Sequence, residues 1–343
     1  MTGPGSKAGV NRQVMVVRRA KGVPTPDCFQ IVDSPVPQCP AGGVLLETLC
    51  AAVDPAMRGW LSEERNYMTV SDGEVMRAHG VGRVLESQDE RWVPGDLAYG
   101  WLGWQRYAAV ASSALLWPVD ETVAPAPVWL SVLGLNGLTA WIGLNLLGRP
   151  VRGETIVVSA AAGGVGGLVG QLAAHRGLRA VGIAGGASKT ELARTRLGFH
   201  VAVDYKAAAG DLGRELTRLL PDGVDIFFDN TAGPIADAVF PVLNGGARIV
   251  QCGTVAVPDW TTLPTGPRRE RDILVKRLSW HGLVVFDHMA RFEEAFADLK
   301  DLYRSGVLTA RHDVLRGLDM APGALGRLYD GTNNGRLMID VGL

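Results

Sequence analysis

Three closely spaced glycines, Gly163, Gly164 and Gly166, follow a run of β-branched residues from Thr155 to Val158. The run reads as a buried strand that stops at small residues and opens, through the glycines, into a helix. Such a turn aims unpaired amide N–H groups and the positive end of a helix dipole at one point, where an anion is favoured. A side chain at Gly163 would keep that anion from the backbone, and Gly166 lets the helix lie close on the strand. With Val165 between them and Ala161 in the leading position, the stretch is A-x-G-x-x-G. It is a dinucleotide-binding turn in which alanine replaces the first glycine, and the pyrophosphate would rest at the helix start.

The next strand, Arg179–Ala184, bears on the type of nucleotide. An NAD binder carries an Asp or Glu at its end, about 20 residues past the glycines, to take the ribose 2′-hydroxyl. Here the chain runs Ala184-Gly185-Gly186-Ala187-Ser188-Lys189, with no carboxylate to repel a 2′-phosphate. Gly185 leaves that edge open, Ser188 can donate a hydrogen bond, and Lys189 can donate a charge-assisted one. Tyr205, after a third strand at Val201–Asp204, is a further contact. The bland alternative is a helix cap at Ser188 and a solvated Lys189. Missing acid together with present base points instead to NADPH.

These groups need a parallel sheet to hold them. From Glu154 strands and helices alternate. Strands are expected at Thr155–Ala160, Arg179–Ala184, Val201–Tyr205, Val224–Asn230 and Ala247–Gly253, and one more at Leu278–Phe286. Helices are expected at Gly164–His175, Lys189–Leu197, Ala208–Leu220 and Ile235–Leu243, with a long amphipathic one at His288–Gly306. That order describes a doubly wound α/β domain. The first 125 or so residues differ, with prolines, glycines and strands at Gly43–Val53, Gly80–Glu86 and Trp104–Val110. An apolar helical stretch, Trp129–Leu147, carries the chain across, and Arg336–Val341 reads as a strand returning to the first domain.

The chain has 343 residues, room for two domains with their own cores. It is 47% apolar and 20% charged, with net charge −1, which argues against a nucleic-acid or membrane surface. No apolar run reaches the length of a membrane span. Residues 1–10 read as a flexible tail without the apolar centre of a signal peptide, so the expected location is cytoplasmic. Cys28, Cys39, Cys50 and Cys252 form no C-x-x-C pair, and with six dispersed histidines they show no zinc-ligand spacing.

Several stretches resemble the zinc-independent medium-chain dehydrogenase/reductases, closest to the branch of prostaglandin, alkenal and curcumin reductases. They include Val53-Asp-Pro-Ala-Met-Arg-Gly59, Gly73-Glu-Val-Met-Arg77, Gly103-Trp-Gln105, Gly137-Leu-Thr-Ala140, Phe228-Asp-Asn230, Cys252-Gly253, Val285-Phe-Asp287 and Gly331-Thr-Asn-Asn-Gly335. The resemblance implies a GroES-like catalytic domain (11–128 and 307–343) and a Rossmann domain (129–306), with NADPH between the lobes. It also implies a homodimer paired through the Rossmann sheets, and reduction of a C=C bond conjugated to a carbonyl. By the same resemblance Thr139 sits at the domain junction and Gly163, Gly164 and Val165 face the pyrophosphate. Lys189 and Tyr205 hold the 2′-phosphate. Asn230, Cys252 and Gly253 line the path to the nicotinamide, and Val284, Val285 and Asn333 fix its carboxamide. Cys252 also reads as a small packing residue at a strand end.

The departures concern the acceptor. Ala56 stands where the family often has Tyr, and Pro258-Asp259 replaces a Tyr-Asn pair. Enone reduction needs a hydrogen-bond donor to the carbonyl oxygen as it becomes enolate-like. Tyr67 matches a family tyrosine and is the leading candidate; His79, where glycine is usual, is the second. Trp60 and Trp260 would suit a bulky aromatic enone in a tailoring pathway. Quinone reduction by the same cofactor is an alternative that needs less acid catalysis, as is a cofactor-binding sensor or scaffold. A zinc alcohol dehydrogenase is disfavoured, since Asp54 stands where a zinc Cys is expected and no Glu follows His79.

Overall fold

The computed structural model describes residues 9–63, 66–208, 210–257 and 264–342. Pro258, Asp259 and Trp260, and all but the end of the expected tail, lie outside the described residues. The chain divides into two compact units, one running to Leu130 and resuming at His312, the other spanning Ser131–Arg311.

The first unit opens with β1 (Val10–Val16), β2 (Phe29–Pro35) and β3 (Gly43–Ala52), then α1 (Ala56–Leu61). It continues through β4 (His79–Ser87), β5 (Leu97–Trp101), β6 (Tyr107–Ala111), β7 (Leu115–Val119) and α2 (Ala126–Trp129). The second unit holds α3 (Leu135–Ile142), β8 (Thr155–Ser159), α4 (Gly166–His175), β9 (Arg179–Ala184), α5 (Ala187–Arg196), β10 (Val201–Asp204) and α6 (Leu212–Leu219). It goes on with β11 (Val224–Asp229), α7 (Gly233–Val239), β12 (Leu243–Gln251), α8 (Glu270–Lys276), β13 (Ser279–Gly282) and α9 (Phe292–Arg304). The chain then returns to the first unit as β14 (His312–Arg316), α10 (Ala321–Asp330) and β15 (Arg336–Asp340).

The second unit is a six-stranded parallel sheet in the order β10-β9-β8-β11-β12-β13. The order reverses between β8 and β11, and ligands of such sheets bind at the carboxyl ends of strands beside that reversal. Every residue of β8 is buried, as a strand covered on both faces requires. Val157, Val181, Ile183, Phe227 and Ile249 from the strands pack with Leu216, Val239 and Phe240 from the covering helices.

The first unit centres on a mixed sheet in the order β14-β15-β3-β4-β5-β7, with β6 also paired to β3. The returning strand β15 lies antiparallel to β3, with Met338 opposite Ala52. Met57, Trp60 and Leu61 of α1 are buried with Trp104, Leu337 and Ile339. At 4% exposure Trp60 is a core residue, which removes it from the argument for a bulky substrate.

Three expected helices differ most from the sequence pattern. Trp129–Leu147 is broken into α2, a turn, and α3 running on into a π-helical stretch at Gly143–Gly148. A Cβ at Gly137 would sit 1.8 Å from Val132 O, so α3 starts as a separate helix pressed on the preceding turn. Helix α6 begins at Leu212 rather than Ala208, because Gly210 takes a φ of +89° that no helix allows. Helix α9 begins at Phe292, after a 3-10 segment interrupted by non-helical φ/ψ at His288.

Candidate active site

At the switch point one buried carboxylate organises the ends of three strands. Asp229, at the end of β11, has no solvent exposure. Its Oδ1 accepts from Ser159 Oγ at 2.8 Å, Thr231 N at 2.8 Å, Thr231 Oγ1 at 3.1 Å and Ala232 N at 3.0 Å. Gln251 Nε2, at the end of β12, donates to its Oδ2 at 3.0 Å. Ser159 Oγ in turn accepts from Asn230 N at 2.8 Å, and Asn230 Nδ2 donates to Ser159 O at 2.8 Å. The Asp229 carbonyl takes the amides of Cys252 at 2.8 Å and Gly253 at 3.1 Å. A buried carboxylate is tolerable only when its lone pairs are met in this way. Asn230, Cys252 and Gly253 are therefore brought together and held rigidly. The sequence pattern points to these three but not to Ser159, Asp229 and Gln251, whose only local signal is a polar residue closing an apolar run.

The glycine turn lies at the end of β8. Ala160 is at φ +49°, and Gly163 N donates to its carbonyl at 2.9 Å. A Cβ at Gly166 would fall 2.4 Å from Ala160 O and 3.0 Å from Ala160 C, a backbone clash that leaves glycine the only fit. Val165 is the N-cap of α4, a ten-residue helix in whose first turn Gly167 N bonds Gly163 O and Leu168 N bonds Val165 O, each at 3.0 Å. Ala161 is accommodated because Gly182 on β9 faces it: a Cβ at Gly182 would lie 2.8 Å from that of Ala161. This explains why the leading glycine is dispensable. The turn fits a pyrophosphate at the amides between Gly163 and Gly167, since no side chain fills the cradle at Gly163, Gly164 or Gly166.

The end of β9 is where the sequence expects the second anion subsite. Gly186 caps α5, with φ +93°, and Ser188 lies exposed in the first turn, so the cap is a glycine rather than this serine. Lys189 is partly buried one residue further on. Tyr205 follows β10, 39% exposed, and its ring lies against Gly185: a Cβ there would meet a ring carbon at 2.9 Å. Gly185, Ser188, Lys189 and Tyr205 thus share one sheet edge with an open backbone.

Val284 and Val285 follow the end of β13, where Leu283 N bonds Gln251 O at 3.0 Å. Helix α3, which carries the half-buried Thr139, packs against the segment that begins at Val285. Cys252 is a thiol there, pushed up to about 12 by burial and by the Asp229 charge, and offers no nucleophile.

Tyr67, His79 and Asn333 belong to the other unit. Asn333 sits in the loop before β15 and donates through Nδ2 to Gly335 O at 3.1 Å. Tyr67 is 64% exposed on the segment after α1, and its amide bonds Asn66 Oδ1 at 2.8 Å. His79 is placed otherwise than its candidate role as an acid requires. It is 2% exposed, its ring centroid 3.5 Å from that of Trp101 and 5.5 Å from that of Tyr99. Burial drives its imidazole down to about 3 against the pull of Asp54, with Arg336 adding to the fall. At 2% exposure the ring nitrogens are closed off among aromatics, which argues against His79 as the donor to a bound carbonyl.

Beside it Arg336 from β15 pairs with Asp54. The pair is bidentate, with the second contact, Nη2 to Oδ2, at 3.1 Å. Burial alone would raise the Asp54 carboxyl, but the guanidinium outweighs it and holds the group below the ordinary carboxylate value. Tyr329 adds a second clamp, donating to Pro55 O at 2.9 Å while Arg58 lies 5.0 Å over its ring. Among the described residues no three His, Cys, Asp or Glu side chains are grouped as a metal would require.

Residues 12–117 match the family described as N-terminal domain of oxidoreductase, and residues 164–301 the family described as zinc-binding dehydrogenase. The NADPH-dependent curcumin reductase of Escherichia coli is 37% identical over 96% of this chain and 97% of its own length. The NADP(+)-dependent 2-alkenal reductase of Nicotiana tabacum is 32% identical over the same shares. The crystal structure of CurA from Vibrio vulnificus in complex with NADPH superposes with a TM-score of 0.90 at 35% identity, covering 96% of this chain and 99% of that one. The chain belongs to the medium-chain dehydrogenase/reductase superfamily, in the zinc-independent branch of the curcumin, alkenal and prostaglandin reductases.

Proposed function

We propose that this protein is an NADPH-dependent reductase of C=C bonds conjugated to a ketone or aldehyde. The observation that carries the reading is the nucleotide edge of the second unit. There the Asp229 network and the glycine turn stand beside a β9 end that offers Lys189 and carries no acid of its own, the Asp204 carboxylate of β10 being taken up by the amides of Gly186 and Lys206. The curcumin and alkenal reductases that match nearly the whole chain support the same chemistry.

Bound NADPH supplies the hydride for the acceptor's β-carbon. The amides of Gly164 and Val165 would hold the pyrophosphate, with Gly163 keeping its approach clear, and Lys189, Ser188 and Tyr205 would hold the 2′-phosphate. Asn230, Cys252 and Gly253 line the nucleotide path, fixed from beneath by Asp229. Thr139, Val284 and Val285 would orient the nicotinamide end; Asn333 stays a contact that the family resemblance implies. Such orientation converts a bimolecular encounter into an effectively unimolecular step. Tyr67 donates a hydrogen bond to the carbonyl oxygen, and water protonates the α-carbon.

The chain acts as a cytoplasmic homodimer. Its four cysteines are all free, as in a reducing compartment. Edge strand β13 carries Trp280, 45% exposed, and helix α8 before it carries Leu274 at 77% and Val275 at 56%. An uncovered apolar edge is a template for pairing with a second copy.

The test is NADPH oxidation by the full chain with a panel of enones, alkenals and quinones. Turnover on enones or alkenals above quinones is expected. Preference for quinones would replace the proposed acceptor. Saturable NADPH binding without oxidation across the panel would make the protein a sensor or scaffold, and absence of NADPH binding would end the proposal.

A further inference from the structure

We infer that Lys206 is a second cation of the 2′-phosphate subsite and shares with Lys189 the discrimination of NADPH from NADH. The inference rests on the proposed binding of NADPH and adds a residue to it. Strand β10 ends at Asp204, and the Tyr205 amide bonds Ala184 O at 3.1 Å, tying the ends of β10 and β9 together. Asp204 Oδ1 then accepts two amides, Gly186 N at 2.8 Å and Lys206 N at 3.0 Å. This turn redirects the backbone beyond the strand. In a continuing strand Tyr205 and Lys206 would point to opposite faces. Here both cross the same glycine. One point, the position of a Cβ on Gly185, lies 2.9 Å from Tyr205 Cε1, 3.1 Å from Tyr205 Oη and 3.0 Å from Lys206 Cε. The ammonium of Lys206 is one bond, about 1.5 Å, beyond that Cε. It stands over the residue where an NAD binder would present its acid.

Charge balance favours the same role. The Asp204 carboxyl is held below its ordinary value, first by the Gly186 amide, and so stays ionised at this edge. Without Lys206 that negative charge would offset Lys189 at a dianionic phosphate. Lys206 forms no salt bridge with a carboxylate within 4.0 Å among the described residues, and its charge acts on Asp204 from further off. Gly185 allows this, because any side chain there would displace both the tyrosine ring and the lysine stem.

The experiment measures dissociation constants of NADPH and NADH for the full-length protein and for Lys206→Ala, Lys206→Arg and Lys189→Ala. Lys206 is exposed, so its variants keep the fold. Lys206→Ala should lose about tenfold in NADPH affinity, change NADH by less than about twofold, and be rescued by Lys206→Arg. An unchanged NADPH to NADH ratio in Lys206→Ala, with a lowered ratio in Lys189→Ala, would overturn the inference and leave the NADPH reading standing. Equal loss of both cofactors in Lys206→Ala would also overturn it, as a packing effect. A wild-type protein without preference for NADPH would sink the parent reading itself.

Discussion

Replacing His79 with phenylalanine isolates one buried titration. In the folded chain burial drives this imidazole to about 3, while its ordinary value is 6.5. Between those values the unfolded chain holds a proton that the folded chain does not. Stability from this group is therefore complete above about pH 6.5 and falls as pH drops toward 3. One pKa unit is about 1.4 kcal/mol, so moving from pH 7.5 to 4.5 costs the wild-type chain roughly 2.5 kcal/mol through this histidine alone. Phenylalanine keeps an aromatic ring against Trp101 and Tyr99 and removes the proton. Any packing cost it brings is the same at both pH values and cancels in the difference. Asp54, whose pKa is lowered, loses its contribution only as pH falls through the carboxylate range, and does so in both proteins. The assay is urea unfolding of both chains at pH 7.5 and 4.5. The wild type should lose about 2.5 kcal/mol more than the variant over that step. Equal losses would refute the placement of His79 as a buried neutral ring.

Three further outcomes are expected. Ser159→Ala leaves the buried Asn230 N–H without its acceptor and takes a donor from Asp229, a cost of about 1–3 kcal/mol. In a thermal scan without cofactor that lowers the midpoint by several degrees, at about 2–4 °C per kcal/mol for a unit of this size; a shift under about 2 °C would remove Asp229 as organiser of the strand ends. Gly166→Ala must move the Ala160 carbonyl, and a titration should show NADPH binding weakened by at least about tenfold; wild-type affinity would mean that the turn does not carry the pyrophosphate. Tyr67→Phe should lower enone turnover by about ten- to a hundredfold with NADPH affinity kept; an unchanged rate would take Tyr67 out of the mechanism.

The second unit was legible because its strands are continuous apolar runs closed by glycine. Strand β9 matches its expected bounds, and β8 and β11 differ by one residue at the end. The first unit was less so: β1, β2, β5, β7 and β14 were not anticipated. They are short or half-exposed, and their pairing is set by distant partners. The stretch Trp129–Leu147 misled because apolar periodicity does not reveal that Gly137 presses on the Val132 carbonyl. At the site, residues that act through backbone and local spacing could be named from sequence: Gly166, Gly185 and Lys189. Those defined by long-range company could not. Asp229 acquires its meaning from Ser159 and Gln251 on two other strands. His79 reads as an acid until Trp101, Tyr99 and Arg336 surround it. Lys206 was overlooked because strand alternation points it away from Tyr205, and only the turn after Asp204 undoes that rule.

The first unit is sewn from both ends of the chain, since β15 fills the place between β14 and β3 and brings Arg336 to Asp54. During translation the second unit, continuous from Ser131 to Arg311, can finish before the first. Until β15 has been made, β3 has an open edge and Asp54 a charge with no counterion. A chain cut short by a dozen residues keeps an intact nucleotide half beside a sheet that cannot close. Such a product would expose an adhesive strand to proteases and chaperones, so β15 is the seam on which the sheet depends.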